Sequence, residues 1–210
     1  MEQFFEMIRA KRESSAASNL VGEPTLIVGL GNPGREYRDT RHNFGFLVVD
    51  RLSERINAPF NKTQHKAITA VGGIDGRKVL IAKPQTYMNL SGQSVSALLK
   101  YYKIPLERLL LVHDDLDLPF GTIRMRPGGG SGGQKGLAST IQQLGTQAFA
   151  RLRCGIDHPP MHMTVSDYVL GRFRKEEEAD LSAVLDRAVD AVSAFVVTGI
   201  QDAMTRFNGK

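Results

Sequence analysis

From Thr25 onward the chain alternates short β-rich apolar runs with segments of helical periodicity, an order that specifies a three-layer α/β domain. TLIVGL, residues 25–30, ends in the turn GNPG and reads as a buried strand. Phe46, Val49, Leu52 and Ile56 then recur at helical spacing. ITAVGG and RKVLIAKP flank Asp75-Gly76, whose tolerance of positive φ marks a hairpin. A helix over 94–102 stops before Pro105, and LLLVHDD, residues 109–115, is a second buried strand. TIRMRP and ARLRCGI read as further strands, with a glycine loop at 128–133 and a helix through Leu137 and Ile141 between them. Leu181, Val184, Leu185, Ala188, Val192 and Phe195 trace the best amphipathic helix. The acidic run at 176–178 lies at its start, where carboxylates favour a helix N-terminus, and is expected to be a solvated face. The expected architecture is a single α/β domain: a mixed central β-sheet with helices on both faces.

Residues 1–24 read differently. Phe4, Phe5, Met7 and Ile8 are spaced for one short amphipathic helix, followed by the small-residue linker SSAASNLVGEP. Glu2, Glu6 and Glu13 argue against a transit peptide, and there is no apolar core of a secretory signal. The expectation is a mobile extension over 1–24 and one domain over 25–210. The lone cysteine, Cys154, has no partner for an internal disulfide or a CxxC-type zinc site, which suits a reducing compartment. No apolar run approaches the ~18 residues of a membrane span. The net charge of +5 suits a polyanionic partner such as nucleic acid, because neutralised phosphates release counterions.

Several motifs compete to explain this chain. Gly29, Gly31 and Gly34 match GxGxxG, yet a dinucleotide fold needs a helix opening directly from the glycines. REYRDTRHNF carries no apolar stripe, so that reading fails on context. GGSGG matches GxSxG with Ser131 as nucleophile, but Pro127 and three glycines separate the serine from the preceding strand. His158 and His162 have ligand-like spacing, but Pro159 and Pro160 forbid the helix that would align them, so a surface loop is expected. His42, by contrast, lies just beyond the first strand's turn, close to Asn32 and Asn43. Asp114 and Asp115 end a buried strand, and carboxylates there mark the mouth of an α/β sheet. Asn89 in TYMNLSG falls at another strand-to-helix junction. This is the inventory of a general base, its orienting carboxylate and amides that bind a carbonyl or oxyanion.

GLGNPGREYRDTRHNFGF, KPQTYMNLSG, LLLVHDDLDLPFG and GGGSGG-x-x-GL, in this order and spacing, resemble the bacterial-type peptidyl-tRNA hydrolases. The resemblance runs from Thr25 to the C-terminus. It implies an esterase without metal or other cofactor that cleaves the bond between a peptide and the 3′-terminal ribose of tRNA. Such an enzyme recycles tRNA from peptides that leave the ribosome early. Carried over by motif, His42 is the general base, Asp114 orients it, and Asn32 binds near the scissile bond. Tyr37, Tyr87 and Asn89 line the crevice for peptide and 3′ end. The tRNA acceptor stem then explains the basic balance, with Arg124, Arg126, Arg151 and Arg153 as candidate phosphate contacts. The implied protein is a cytoplasmic monomer with no membrane association and no obligatory protein partner.

One departure stands out. Where many family members carry His-Asn after the glycine loop, this chain has Gln134-Lys135. Lys135 offers donors and charge but no amide acceptor, which fits a phosphate, the peptide carbonyl or a merely solvated side chain. A rival from another class is a protein of this fold that binds RNA without hydrolysing it. Asn32, His42, Asn89 and Asp114 together favour the enzyme.

Overall fold

The computed structural model describes residues 21–209. In chain order the elements are β1 (Val21–Gly29), α1 (Phe44–Arg55), β2 (Lys62–Gln64), β3 (Ala67–Ile74), β4 (Arg77–Pro84), α2 (Ser91–Tyr102), β5 (Leu109–Asp115), β6 (Ile123–Arg126), α3 (Lys135–Leu144), β7 (Ala150–Gly155), α4 (Val165–Val169), α5 (Lys175–Thr198) and α6 (Ile200–Phe207). Short 3-10 turns cover Arg35–Tyr37, Arg41–Asn43 and Met88–Leu90. The strands form one seven-stranded sheet in the order β2-β3-β4-β1-β5-β7-β6. β1 runs parallel to β4 and β5, and β5 runs parallel to β7. β2, β3 and β6 join antiparallel at the edges, so the sheet is mixed as expected. β1 starts at Val21, paired with Arg77, so the sheet takes up residues before Thr25. Of the helix and linker expected over residues 1–24, residues 1–20 lie outside the described residues and 21–24 belong to β1.

Burial on both faces explains why the central strands carry unbroken apolar runs. Ile27, Ile81, Leu110, Val112 and Leu152 face one core with Val48 and Leu52 of α1 and Val189 and Val192 of α5. Their neighbours Leu26, Val28, Leu80 and Leu111 face the other, with Val95 and Leu98 of α2 and Leu137 of α3. Each such side chain, removed from water, contributes roughly 1.5–3 kcal/mol. The β3–β4 turn is built from Asp75 and Gly76 at φ 46° and 76°, the left-handed pair that a two-residue hairpin demands.

Only a single 3-10 turn, Arg35–Tyr37, and no α-helix opens at the glycines after β1, so the context argument against a dinucleotide site holds: α1 begins only at Phe44. That helix comes very close to the sheet. A Cβ at Gly45 would lie 2.3 Å from the Val112 carbonyl oxygen and 2.5 Å from the Leu30 nitrogen. Only glycine lets the first turn of α1 rest on the carboxyl ends of β1 and β5. The turn just before it, Arg41–Asn43, is thereby held over the mouth of the sheet.

Candidate active site

At the carboxyl ends of β1 and β5, where α/β sheets commonly bind ligands, lies a crevice of about 610 Å³. Asn32 and His42 reach it from the segment between β1 and α1, and Tyr87 and Asn89 from the turn after β4. Asp114 comes from β5, and Gln134 and Lys135 from the start of α3. Val165, Val169 and Leu170, in and just after α4, form an apolar wall.

The histidine–carboxylate pair expected from sequence is present. His42 Nδ1 lies 2.8 Å from Asp114 Oδ2, with the two residues 8% and 3% exposed. A carboxylate can only accept, so Nδ1 carries the hydrogen and Nε2 keeps a lone pair for a proton from water. The other Asp114 oxygen, Oδ1, accepts from Gln134 Nε2 at 3.1 Å. Buried carboxylate and imidazole therefore leave no polar atom of Asp114 unpaired, as a buried charge requires.

Asn32 is held just as firmly. Its Oδ1 accepts from the Met88 backbone N–H at 2.7 Å, which turns Nδ2 outward as the donor end. Its backbone N–H donates to Asn43 Oδ1 at 2.8 Å, and Asn43 Nδ2 returns a bond to the Asn32 carbonyl at 3.0 Å. Asn89 lines the crevice on the same turn as Met88, and Tyr87 stands at its rim, 61% exposed. The site thus brings together six of the seven residues singled out from the sequence. Tyr37 is the exception: it lies outside the crevice lining, and its backbone carbonyl takes the Thr40 hydroxyl at 2.8 Å. That bond closes the turn that precedes His42.

Two further expectations are corrected. Glu177, within the acidic run, is 3% exposed and not solvated. Its Oε2 accepts from Arg41 Nη2 at 2.6 Å and from the Arg174 backbone N–H, in the capping box that starts α5. Arg41 also donates to the Arg172 carbonyl, and its guanidinium stacks 4.4 Å above the Tyr168 ring. The residue beside His42 is thereby clamped to α4 and α5. Arg151 and Arg153, expected on phosphates, are already engaged. Arg151 is 2% exposed and donates to the carbonyls of Gly130 and Gln147, bracing the glycine loop. Arg153 forms a two-pronged pair with Asp115 at 2.6 and 3.0 Å. Burial alone would raise the Asp115 carboxyl, but the Arg153 hydrogen bond and the His113 and Arg153 charges hold it below the usual range. Arg124 and Arg126 remain exposed on the edge strand β6.

His113 does not join the site. It is buried, donates from Nδ1 to the Asp114 carbonyl at 2.7 Å, and burial lowers its pKa. Ser131 is not a crevice residue, and its carbonyl instead accepts the Gln134 N–H. His158 and His162 are exposed, His158 lying 3.2 Å from Asp117. Among the described residues no group of three or more His, Cys, Asp and Glu side chains is placed to hold a metal ion. No helix there is long and apolar enough to cross a membrane.

Comparison with known proteins agrees with this geometry. The profile of the family described as Peptidyl-tRNA hydrolase matches residues 26–210. The chain is 49% identical over 183 residues to the peptidyl-tRNA hydrolase of Bacillus cytotoxicus, covering 87% of this chain and 98% of that protein. It is 52% identical over 184 residues to that of Chloroflexus aurantiacus, with the same shares covered. The crystal structure of peptidyl-tRNA hydrolase from Acinetobacter baumannii superposes with a TM-score of 0.84 at 39% identity, over 89% of this chain and 95% of that one. The sequence motifs, the fold and the crevice at the sheet's mouth lead to one conclusion: this chain belongs to the peptidyl-tRNA hydrolase family of carboxylic ester hydrolases.

Proposed function

We propose that this chain hydrolyses the ester joining a peptide to the 3′-terminal ribose of tRNA, with water activated by His42. The observation that carries the reading is the buried His42–Asp114 pair at 2.8 Å on the crevice lining, with Nε2 as the ring nitrogen left to take a proton. The attacking water gives that proton to Nε2 as its oxygen bonds the ester carbonyl carbon. Asp114 stabilises the imidazolium that forms. Asn32 Nδ2 and the Asn89 amide, both on the crevice lining, supply donors to the carbonyl oxygen as it gains charge. Collapse of the tetrahedral intermediate expels the ribose oxygen, which takes the proton back from His42. An ester needs only this positioned base and polarisation, with no covalent nucleophile.

The substrate's nucleic-acid part lies naturally toward the basic edge: Arg124 and Arg126 on β6, and Lys135 at the crevice. We place the protein in the cytoplasm as a monomer, returning tRNA from peptides that leave ribosomes early or stall on ribosomal subunits. Release of free tRNA from an N-blocked aminoacyl-tRNA tests the reading, because a protein that merely binds RNA releases none.

Lys135 is exposed and begins α3, where its positive charge works against the helix dipole, so no structural gain explains it. We assign it to a tRNA phosphate. Lys135→Ala is then expected to raise KM and to flatten the salt dependence by about one counterion, with kcat little changed. Lys135→Asn should show the same loss, since an amide replaces a carbonyl donor but not a charge. A fall in kcat rescued by Asn would move Lys135 to the peptide carbonyl instead. Unaltered kcat, KM and salt slope would make it a bystander.

A further inference from the structure

We infer that Gln134 is a positioning residue that anchors the Asp114 carboxylate to the first turn of α3 and so holds it against His42. This rests on the reading of His42 as the base. Gln134 occupies the N-cap of α3, a place where the short side chains of Ser, Thr, Asp and Asn are preferred. Its longer side chain does two things at once. Oε1 accepts from the Leu137 backbone N–H at 2.9 Å, and Nε2 donates to Asp114 Oδ1 at 3.1 Å.

The orientation of the Gln134 amide follows from its backbone partner. A backbone N–H can only donate, so the Gln134 oxygen must face Leu137 and the NH₂ must face Asp114. Asp114 accepts that bond at Oδ1, which holds Oδ2 facing the His42 Nδ1–H. Nε2 is left as the acceptor. The amide has no freedom to turn over: Gln134 is 9% exposed, and Met88 Sδ lies 3.3 Å from Nε2. A Cβ at Gly136 would come within 3.0 Å of Oε1 and 2.6 Å of that sulfur. A helix cap alone needs no second bond. A carboxylate orienter alone needs no fixed amide.

The test separates capping from donation. Gln134→Glu keeps an oxygen for the Leu137 N–H, and its charge suits the helix N-terminus, but it has no hydrogen to give Asp114. Gln134→Met keeps length and loses both roles. Gln134→His offers one donor and one acceptor nitrogen, as the amide does. The charged and titratable groups around Asp114 are His42, the neighbouring His113, Cys154 on the paired strand β7, the Asp115–Arg153 pair and Lys135. None of these changes in the three variants. Gln134→Glu sets a second carboxylate against buried Asp114, so it is expected to lower Tm, to lower kcat roughly 10- to 100-fold with KM little changed, and to move the acid limb of the pH–rate profile to higher pH. The upward move follows because added negative charge favours protonated His42. Gln134→Met should lose both kcat and Tm, and Gln134→His should restore most of kcat. Wild-type kcat and pH profile in Gln134→Glu would overturn the inference, reducing Gln134 to a cap. That result with His42→Ala inactive would leave the base reading standing, whereas an active His42→Ala would remove the base itself.

Discussion

Replacing His42 by alanine is expected to lower single-turnover hydrolysis of an N-blocked aminoacyl-tRNA by at least ~10²-fold, the usual contribution of a general base. As the base, the imidazole would meet only Asp114 and the attacking water, so binding of intact substrate should change little. The loss should therefore appear in kcat, with KM nearly constant. Asp114 keeps its Gln134 bond in the variant, so Tm reports whether the fold survives. A folded His42→Ala protein within a few-fold of wild type would mean that the pair at 2.8 Å is structural and that water is activated elsewhere.

Glu177→Ala is expected to be the most destabilising single change near the site, by about 3–5 kcal/mol. It removes the carboxylate from a pair whose side chains are 5% and 3% exposed, leaving the Arg41 guanidinium buried without its counter-charge. It also removes the acceptor for the Arg174 N–H at the start of α5. For a domain of this size the loss corresponds to a fall in Tm of roughly 10 °C. Because the Arg41 backbone N–H is also tied to the Gly171 carbonyl at 3.0 Å, the His42 turn should loosen and kcat should fall as well. Thermal unfolding of the variant decides: a loss below about 1 kcal/mol would show that Arg41 finds other partners or water.

The contrast between Glu177 and Asp114 shows what a sequence makes legible. Asp114 ends an apolar run that can only be a buried strand, so its place at the sheet's mouth follows from local pattern, and β5 spans LLLVHDD as read. Glu177 sits among like charges on a helix start, and its burial depends on an arginine 136 positions away in the chain. Nothing local announces that. Gln134 is similar, since its value lies in reaching both a helix end and Asp114. Arg151 and Arg153 looked like free cations until β7 was seen to turn them toward Gly130 and Asp115. β2, three polar residues long, has no apolar alternation, and the five residues of α4 span too little chain to show a period. α2 begins at Ser91 rather than 94, because a 3-10 turn over Met88–Leu90 leads directly into it.

The most direct test of the account is the pH dependence of single-turnover cleavage of N-blocked aminoacyl-tRNA by the wild-type protein, with tRNA release and intact ester both followed. The account predicts complete release, at a rate that falls on acidification as one proton occupies His42 Nε2, and that is unchanged by a metal chelator. Bound substrate with its ester intact, or a rate that does not fall on acidification, would contradict it.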